Sequence, residues 1–324
     1  MLPSATAVLA AAHRLRGVIE RTPLVRSEAL TARAGAETFL KCEQYQRTGS
    51  FKIRGAYNSL SALSDDVRRR GVVASSAGNH GLGLAWAAKQ LGVSARVFVP
   101  ASAPRVKRDG MLALGADVDM SRPDYDAAHR AAEQYAHEHG LAFVNPCAGD
   151  ALLAGQGTVA LEILEELPRA MTLVVPVGGG GLIGGIAALV RAVAPAIRLV
   201  GVQSVKTNAM AASLAAGRRV DVPVSPTLAD GLAGQIDDEG FAIGREALDE
   251  MVTVPEEEIA DAIAWLSHEH DMRAEGSGAV GIAALLHGRI RTPVSPVVVV
   301  ISGGNIDDTR WRAIVDGPGA IGDR

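Results

Sequence analysis

Four consecutive glycines, Gly178 to Gly181, are the most distinctive chemical feature of the sequence. They follow the apolar run Leu173 to Val177 and precede a helical pattern, which predicts a loop between a buried strand and a helix. Successive bare N–H groups can turn toward one anion, and the following helix dipole adds to the attraction. A phosphate monoester fits this pattern, and a tight packing turn fits it about equally well. No P-loop lysine follows and no acidic ribose partner stands in its usual place, so nucleoside triphosphates and dinucleotides are not favoured.

Lys52 is the second chemical candidate, because lysine is rare in this chain. Lys52 lies between Phe51 and Ile53, which predicts partial burial. Partial burial disfavours the ammonium form, and an imine-forming lysine needs a neutral amine. The alternative is an ordinary surface lysine whose stem packs on apolar neighbours. Lys41 and Lys89 are predicted to be such surface residues, and Lys107 is predicted to lie in a solvated basic turn.

The elements that must position these residues alternate along the chain. Short apolar runs such as Val297 to Ile301 carry no polar alternation, which is typical of strands covered on both faces, and helical patterns follow them. This alternation predicts a parallel, doubly wound α/β architecture, and 324 residues suggest two lobes. In such sheets ligands bind beyond the carboxyl ends of the strands. The loops of unusual composition in that position are 75–81, 177–182 and 301–305.

Composition excludes several other classes of protein. The net charge of −4, without a basic block, and 4% aromatic residues give no support for a nucleic-acid or anionic membrane surface. The uncharged stretch 172–190 contains six glycines and a proline, so a membrane helix is a poor interpretation. Two distant cysteines and an amphipathic start without a basic leader favour a reducing cytoplasm.

The segment Thr48-Gly49-Ser50-Phe51-Lys52-Ile53-Arg54-Gly55-Ala56 resembles the cofactor-lysine motif of threonine/serine dehydratases. These enzymes, with serine racemase, are fold-type II pyridoxal-phosphate enzymes. The resemblance implies a two-lobed α/β fold like that of the tryptophan synthase β-subunit, with parallel sheets flanked by helices. A small lobe, 70–146, is then inserted in a large lobe formed by 1–69 and 147–324. Further segments with the same resemblance are Arg21-Thr22-Pro23-Leu24, Lys41-Cys42-Glu43-Gln44, Ser76-Ala77-Gly78-Asn79-His80, Gly155-Gln156-Gly157-Thr158, Ala229-Asp230-Gly231 and Ser302-Gly303-Gly304-Asn305.

The same resemblance implies roles for individual residues. Lys52 would bind pyridoxal 5′-phosphate covalently and act as the catalytic base, with Phe51 beside the ring. Asn79 would donate to the ring hydroxyl, and Ser302 would meet the pyridine nitrogen. Backbone N–H groups of the loop would bind the phosphate, and the start of the helix after Asn79 would bind the substrate carboxylate. The phosphate residues are Gly178, Gly179, Gly180, Gly181 and Leu182, and the substrate residues are Ser76, Asn79 and His80.

The implied activity is an ammonia-lyase that eliminates the hydroxyl of a small β-hydroxy amino acid to give a 2-oxo acid and ammonia. A serine at the ring nitrogen makes the ring a weaker electron sink than an aspartate would, which suits β-elimination. Ala77 stands where racemases of the family carry a proton-donating serine, so racemisation is expected to be poor. The alternatives are a racemase or another β-elimination or β-replacement enzyme on this scaffold, and a non-catalytic phosphate-metabolite binder.

Departures from the family pattern narrow these expectations. Gln203 and Ala209 replace the acidic residues that bind a divalent cation in several relatives, so no metal is expected there. The resemblance predicts no C-terminal regulatory domain. It also predicts that the protein is a homodimer. Gly276 stands where many relatives have proline, which leaves Glu275 as either a candidate close to the ring or an ordinary surface glutamate. The pairs His137/His139 and His268/His270 are interpreted as solvated helix faces.

Overall fold

The described part of the chain contains ten strands and fourteen α-helices. The computed structural model describes residues 2–76, 78–101, 103–223 and 225–317. The strands are β1 Leu24–Arg26, β2 Thr38–Cys42, β3 Val72–Ser75, β4 Ala95–Pro100, β5 Asp117–Arg122, β6 Ala142–Phe143, β7 Thr172–Pro176, β8 Arg198–Ser204, β9 Glu250–Val254 and β10 Val297–Ile301. The helices are α1 Ala5–Leu15, α2 Glu28–Ala34, α3 Lys52–Ala62, α4 Asp65–Arg70, α5 Asn79–Leu91, α6 Arg105–Ala113, α7 Tyr125–His139, α8 Asp150–Glu166, α9 Gly181–Val193, α10 Ala209–Ala216, α11 Asp238–Ala247, α12 Glu256–His270, α13 Gly276–Leu286 and α14 Asp308–Val315.

The strands form two sheets. The six-stranded sheet has the order β1-β2-β10-β7-β8-β9, and β1 is its one antiparallel strand. The four-stranded sheet has the order β5-β4-β3-β6 and is parallel throughout. The predicted α/β class with parallel sheets flanked by helices is therefore confirmed. The strands of the smaller sheet all lie between residues 72 and 143, while the lobe boundaries at 70 and 146 stay a prediction.

The continuous apolar runs are explained by helices on both faces of the larger sheet. In β10, Val298 and Val300 pack into the core that holds α8 and α9. Val297, Val299 and Ile301 of the same strand point into the opposite core, which holds α12 and α13. Because both faces are buried, no position in β10 needs a polar side chain. The smaller sheet is covered likewise, by α5 and α6 on one face and by α7 on the other.

Helix α3, which begins at Lys52, lies between α5 and α8 at backbone distance. A Cβ at Gly83 of α5 would lie 3.0 Å from the Ile53 nitrogen. A Cβ at Gly155 of α8 would lie 2.5 Å from the Arg54 carbonyl oxygen. Glycine at both positions therefore lets one helix belonging to each sheet clamp the first turn of α3, so the position of Lys52 is fixed by close packing.

No helix among the described residues is both long and apolar enough to cross a membrane. The uncharged stretch 172–190 forms β7, the glycine loop and most of α9, as its composition predicted.

Candidate active site

The glycine loop joins β7 to α9, and its first two glycines are half-buried whereas the next two are buried. Gly180 has φ +96°, a conformation that side chains rarely adopt, and a Cβ at Gly179 would lie 2.8 Å from Cys147 Sγ. The first amide of α9 that donates within the protein is that of Gly184, to the Gly180 carbonyl. Among the described residues, the N–H groups of residues 178–183 find no acceptor. Such a row of donors at a helix N-terminus is suited to a phosphate group.

The Lys52 amine lies close to this loop. Lys52 Nζ donates a 2.8 Å hydrogen bond to the Pro146 carbonyl oxygen. The next residue, Cys147, packs directly on Gly179 and Gly181. One short segment, 146–147, therefore separates the amine from the glycine loop. Lys52 Nζ also lies 5.3 Å from the centre of the Phe51 ring.

Ser302 reaches the same region from the carboxyl end of β10. Its carbonyl oxygen accepts a 3.1 Å hydrogen bond from the Phe51 amide, and Ser50 and Gly303 form a β-bridge beside it. The Ser302 hydroxyl is buried and lies 3.4 Å from the Ser277 carbonyl oxygen. This weak contact leaves the hydroxyl able to make a better hydrogen bond with another group.

Asn79, the first residue of α5, is held on both sides of its amide. Its Nδ2 donates to Glu275 Oε1, and its Oδ1 accepts a 2.9 Å hydrogen bond from Asn305 Nδ2. Asn305 also donates to the Thr48 carbonyl oxygen at 2.8 Å. The second N–H of Asn79 has no acceptor among the described residues and can bind a ligand.

The predicted substrate residues lie at the start of α5, and they differ in what they can offer. Ser76 Oγ accepts hydrogen bonds from the amides of Gly78 and Gly81, so it stabilises the helix start. The amides of Asn79 and His80 have no acceptor within the described ranges, which omit Ala77. The structure therefore says nothing of the predicted role of Ala77, because this residue lies outside the described ones.

His80 is buried, and its Nε2 lies 3.2 Å from the Val144 carbonyl oxygen. Burial, together with the nearby charge of Lys52, lowers the pKa of His80 to about 3. The imidazole is therefore neutral at physiological pH and supplies no positive charge to a carboxylate. Only its backbone N–H can contribute to anion binding.

Two lysines that were predicted to be solvated are buried ion-pair partners. Lys41 Nζ lies 2.6 Å from Glu162 Oε2. Lys107 Nζ lies 2.9 Å from Asp230 Oδ2 and 3.1 Å from Glu275 Oε2. Both predictions were wrong because the carboxylates come from distant segments, so the local charge pattern does not reveal them. One signal was present for Lys107, which stands four residues before the buried Met111 on the same face of α6. Lys89 is exposed, as predicted.

Glu275 is buried beside Asn79, so it is not a surface glutamate. Burial raises the pKa of Glu275, and the Lys107 ammonium opposes that rise. Gly276 is required by its surroundings, because a Cβ there would lie 2.2 Å from the Leu228 carbonyl oxygen. Glycine in place of the relatives' proline therefore lets the backbone of residues 228–229 lie close to Gly276.

Gln203, which stands where several relatives carry a cation-binding acidic residue, makes a hydrogen bond within the protein. Gln203 Oε1 accepts a 3.0 Å hydrogen bond from the Ala211 amide at the start of α10. Within the described ranges, no three His, Cys, Asp or Glu residues are grouped as a metal site would require. His137, His139 and His268 are exposed, and His270 lies 2.9 Å from the Ser27 hydroxyl. The prediction that the protein needs no divalent metal stays a prediction.

Known proteins resemble this chain over nearly its whole length. A family model described as pyridoxal-phosphate dependent enzyme matches residues 15–303. The L-threonine ammonia-lyase of Thermotoga maritima is 45% identical over 92% of this chain and 74% of that protein. The catabolic L-threonine dehydratase of Escherichia coli is 39% identical over 95% of this chain and 94% of its own length. Maize serine racemase superposes with a TM-score of 0.92 at 33% identity, and the match covers 98% of each chain.

The donor set of the site fits pyridoxal phosphate. A part-buried amine at Lys52 can bind its aldehyde, and the unpartnered amides of residues 178–183 can bind its phosphate. These relatives are 37–45% identical to this chain and cover more than nine tenths of it. The chain therefore belongs to the pyridoxal-phosphate dependent enzymes, and its cofactor is pyridoxal phosphate.

Proposed function

We propose that the protein is an ammonia-lyase that converts L-threonine or L-serine, or another small β-hydroxy amino acid, into a 2-oxo acid and ammonia. The relatives named as threonine ammonia-lyase and threonine dehydratase support this choice of reaction. The observation that carries the proposal is the juxtaposition of Lys52 and the glycine loop across residues 146–147. An amine and an anion-binding loop at that separation suit a ligand that is both an aldehyde and a phosphate ester.

The proposed roles follow from what each side chain can do. Lys52 Nζ would hold the cofactor and, as a free amine, would take the proton from the substrate Cα. Asn79 donates its free N–H to the ring oxygen, and Ser302 offers its hydroxyl to the ring nitrogen. When bound, pyridoxal phosphate supplies an electron sink that makes the Cα proton acidic. The phosphate is held by the N–H groups of residues 178–182.

Substrate binding is proposed at the start of α5. The amides of Asn79 and His80 point their positive ends toward a carboxylate, and the helix dipole adds to this attraction. Since His80 is neutral, the site holds the carboxylate by amide hydrogen bonds rather than by a cationic side chain. We also propose a homodimer and a cytoplasmic location, the latter supported by the unpaired thiols of Cys42 and Cys147.

The decisive experiment locates the cofactor and measures turnover in the same preparation. The purified protein should be yellow, and borohydride treatment should fix a phosphopyridoxyl group on the peptide that contains Lys52, as read by mass spectrometry. L-Threonine and L-serine should each yield a 2-oxo acid, and Lys52→Ala should lower the rate by at least about a thousandfold. The exposed variant Lys89→Ala is the matched control and should behave as the wild type. An adduct on another residue, or steady turnover by Lys52→Ala, would refute the proposal.

Racemisation is the second candidate, because maize serine racemase shares this fold with a TM-score of 0.92. A racemase must return a proton to the substrate Cα from the face opposite Lys52. In this sequence Ala77 stands where racemases of the family carry a proton-donating serine, and an alanine side chain has no proton to give, which favours elimination. Chiral chromatography of L-serine incubated with the protein separates the two activities. Pyruvate should accumulate much faster than D-serine, and the reverse would favour the racemase.

A further inference from the structure

Five side chains from separate segments form one continuous polar chain beside the proposed cofactor site. The members of this chain, called here the Asn79 relay, are Asn305, Asn79, Glu275, Lys107 and Asp230. Asn305 bonds to Asn79, Asn79 bonds to Glu275, and Lys107 lies against both Glu275 and Asp230. Only Asn79 and the neighbouring Ser302 and Lys52 are explained by the roles given above. Lys107 is unexplained.

The direction of every hydrogen bond in the Asn79 relay is fixed by its ends. At one end the Thr48 carbonyl can only accept, so Asn305 must present its NH₂ group to both Thr48 and Asn79. Asn79 then accepts through Oδ1 and must donate through Nδ2 to Glu275. At the other end the Lys107 ammonium lies 3.1 Å from Glu275 Oε2 as an ion-pair partner, which favours the carboxylate form of Glu275, and a carboxylate can only accept. Asn79 is thereby held in one of its two amide orientations, with one N–H left over.

The site is built to hold the Lys107 ammonium. Lys107 is 1% exposed and Glu275 is 2% exposed. A Cβ at Gly303 would lie 2.6 Å from Glu275 Oε1, so glycine there makes room for the carboxylate. Burial lowers the pKa of Lys107, but Glu275 and Asp230 outweigh that effect and raise it above its ordinary value. The amine therefore stays charged although it is almost fully buried.

We propose that Lys107 is a positioning residue for the cofactor: it holds Glu275 as an acceptor, and Glu275 fixes the Asn79 amide so that its remaining N–H faces the cofactor ring oxygen. This inference rests on the proposed function, because it needs Asn79 to contact the ring. Without Lys107 a proton on the buried Glu275 would be favoured. A protonated carboxyl group can donate as well as accept, so only the Asn305 end would then set the direction of the Asn79 amide, and its remaining N–H would be held less firmly.

The test compares cofactor binding by apoprotein variants that are reloaded with pyridoxal phosphate. The readouts are the dissociation constant and the visible circular dichroism of the band per bound cofactor, which reports how rigidly the ring is oriented. Lys107→Met should weaken binding about tenfold or more, the loss of roughly one charge-assisted hydrogen bond, and should at least halve the dichroism. Lys89→Met removes an exposed lysine from α5, the helix that carries Asn79, and should leave both readouts unchanged.

A second pair of variants removes both charges and differs only in the acceptor offered to Asn79. In Lys107→Met/Glu275→Gln the amide oxygen of the new side chain can still accept, so most of the dichroism should return. In Lys107→Met/Glu275→Leu no acceptor remains, so it should not return. This pair tests whether the acceptor offered to Asn79 orients the cofactor even when Lys107→Met alone fails to fold, because neither double variant buries an unpaired Glu275.

The inference is overturned when Lys107→Met binds the cofactor with wild-type affinity and dichroism, or when the two double variants give the same dichroism. A purely structural role for Lys107 predicts that second result, with lower thermal stability and an unchanged band. Failure of the proposed function looks different, since the wild-type protein would then carry no cofactor on Lys52. The dissociation constant and the dichroism are both measured without substrate, so the identity of the substrate does not affect them.

Discussion

At the scale of single residues, burial decides what His80 can do. In sequence His80 stands beside Asn79, where a positively charged imidazole would be a natural partner for a substrate carboxylate. The structure encloses the ring and leaves Nδ1 without a partner among the described groups. Because the low pKa keeps the ring neutral, the proposed carboxylate site would depend on backbone amides. The sequence predicted that His80 lies at the start of a helix, as it does, but its charge state depends on packing and its substrate role stays a prediction.

The lowered pKa of His80 predicts a loss of stability in acid. The unfolded chain binds a proton on this imidazole below its ordinary pKa of 6.5, whereas the folded chain does so only near 3. Between these values the unfolded state holds more protons, so the free energy of unfolding falls as the pH falls, by at most about 1.4 kcal/mol per pH unit. His80→Gln, whose amide can still donate to the Val144 carbonyl, should reduce that slope.

Urea unfolding curves at several pH values between these limits check the slope. His137→Gln, which removes an exposed imidazole from α7, controls for the loss of a histidine as such. The quantity compared is the change of unfolding free energy with pH, so a constant loss of stability in His80→Gln does not affect the outcome. An unchanged slope in His80→Gln would show that His80 titrates normally in the folded protein.

At the scale of elements, a buried ion network fixes helix α3 and therefore Lys52. Arg54, on the first turn of α3, donates to Glu43 at 2.8 Å and to Glu162 at 2.6 Å. Lys41 makes a third ion pair, with Glu162. These residues belong to β2, the segment after it, α3 and α8, so the network joins four parts of the fold. Its two cations and two carboxylates balance in charge, as burial requires.

Arg54→Met should destabilise the protein by about 3–5 kcal/mol, because it leaves Glu43 buried without its cation. The control is Arg21→Met, which breaks exposed ion pairs with Glu165 and Glu166. Exposed pairs are worth at most about 1 kcal/mol, so this variant should lie near the wild type. Chemical unfolding measures both. Equal losses for the two variants would mean that the network does not hold α3.

At the scale of the whole molecule, the sequence predicted those strands, helices and loops that depend on the local pattern of apolar residues and glycines. The apolar run Val297 to Ile301 is β10 because helices cover both of its faces, and the glycines at 178–181 do lead into a helix. Lys52, the loop and Ser302 gather at one place because carboxyl ends of parallel strands share an edge. The ion pairs of Lys41 and Lys107 could not be predicted, since their partners lie more than a hundred residues away.

The proposed cofactor site draws its residues from both sheets, which predicts how the whole molecule unfolds. Asn79 follows β3 of the smaller sheet, whereas the glycine loop and Ser302 follow β7 and β10 of the larger one. A ligand that contacts residues of both sheets stabilises the two sheets together against unfolding. At a concentration about a hundredfold above its dissociation constant it should add about 2.7 kcal/mol. Calorimetry should therefore show one transition that moves to higher temperature on loading with pyridoxal phosphate.

Pyridoxal without its phosphate is the matched ligand for this experiment. It keeps the aldehyde for Lys52 and the ring oxygen for Asn79, but it has no anion for the amides of the glycine loop. At equal concentration it should therefore raise the transition temperature by less, and the difference between the two ligands measures what the loop contributes. A shift confined to one of two separate transitions would mean that the ligand is held by one sheet alone. In that case Asn79 would not contact the ring, because the unfolding temperature of the smaller sheet would not change when the ligand binds to the larger one.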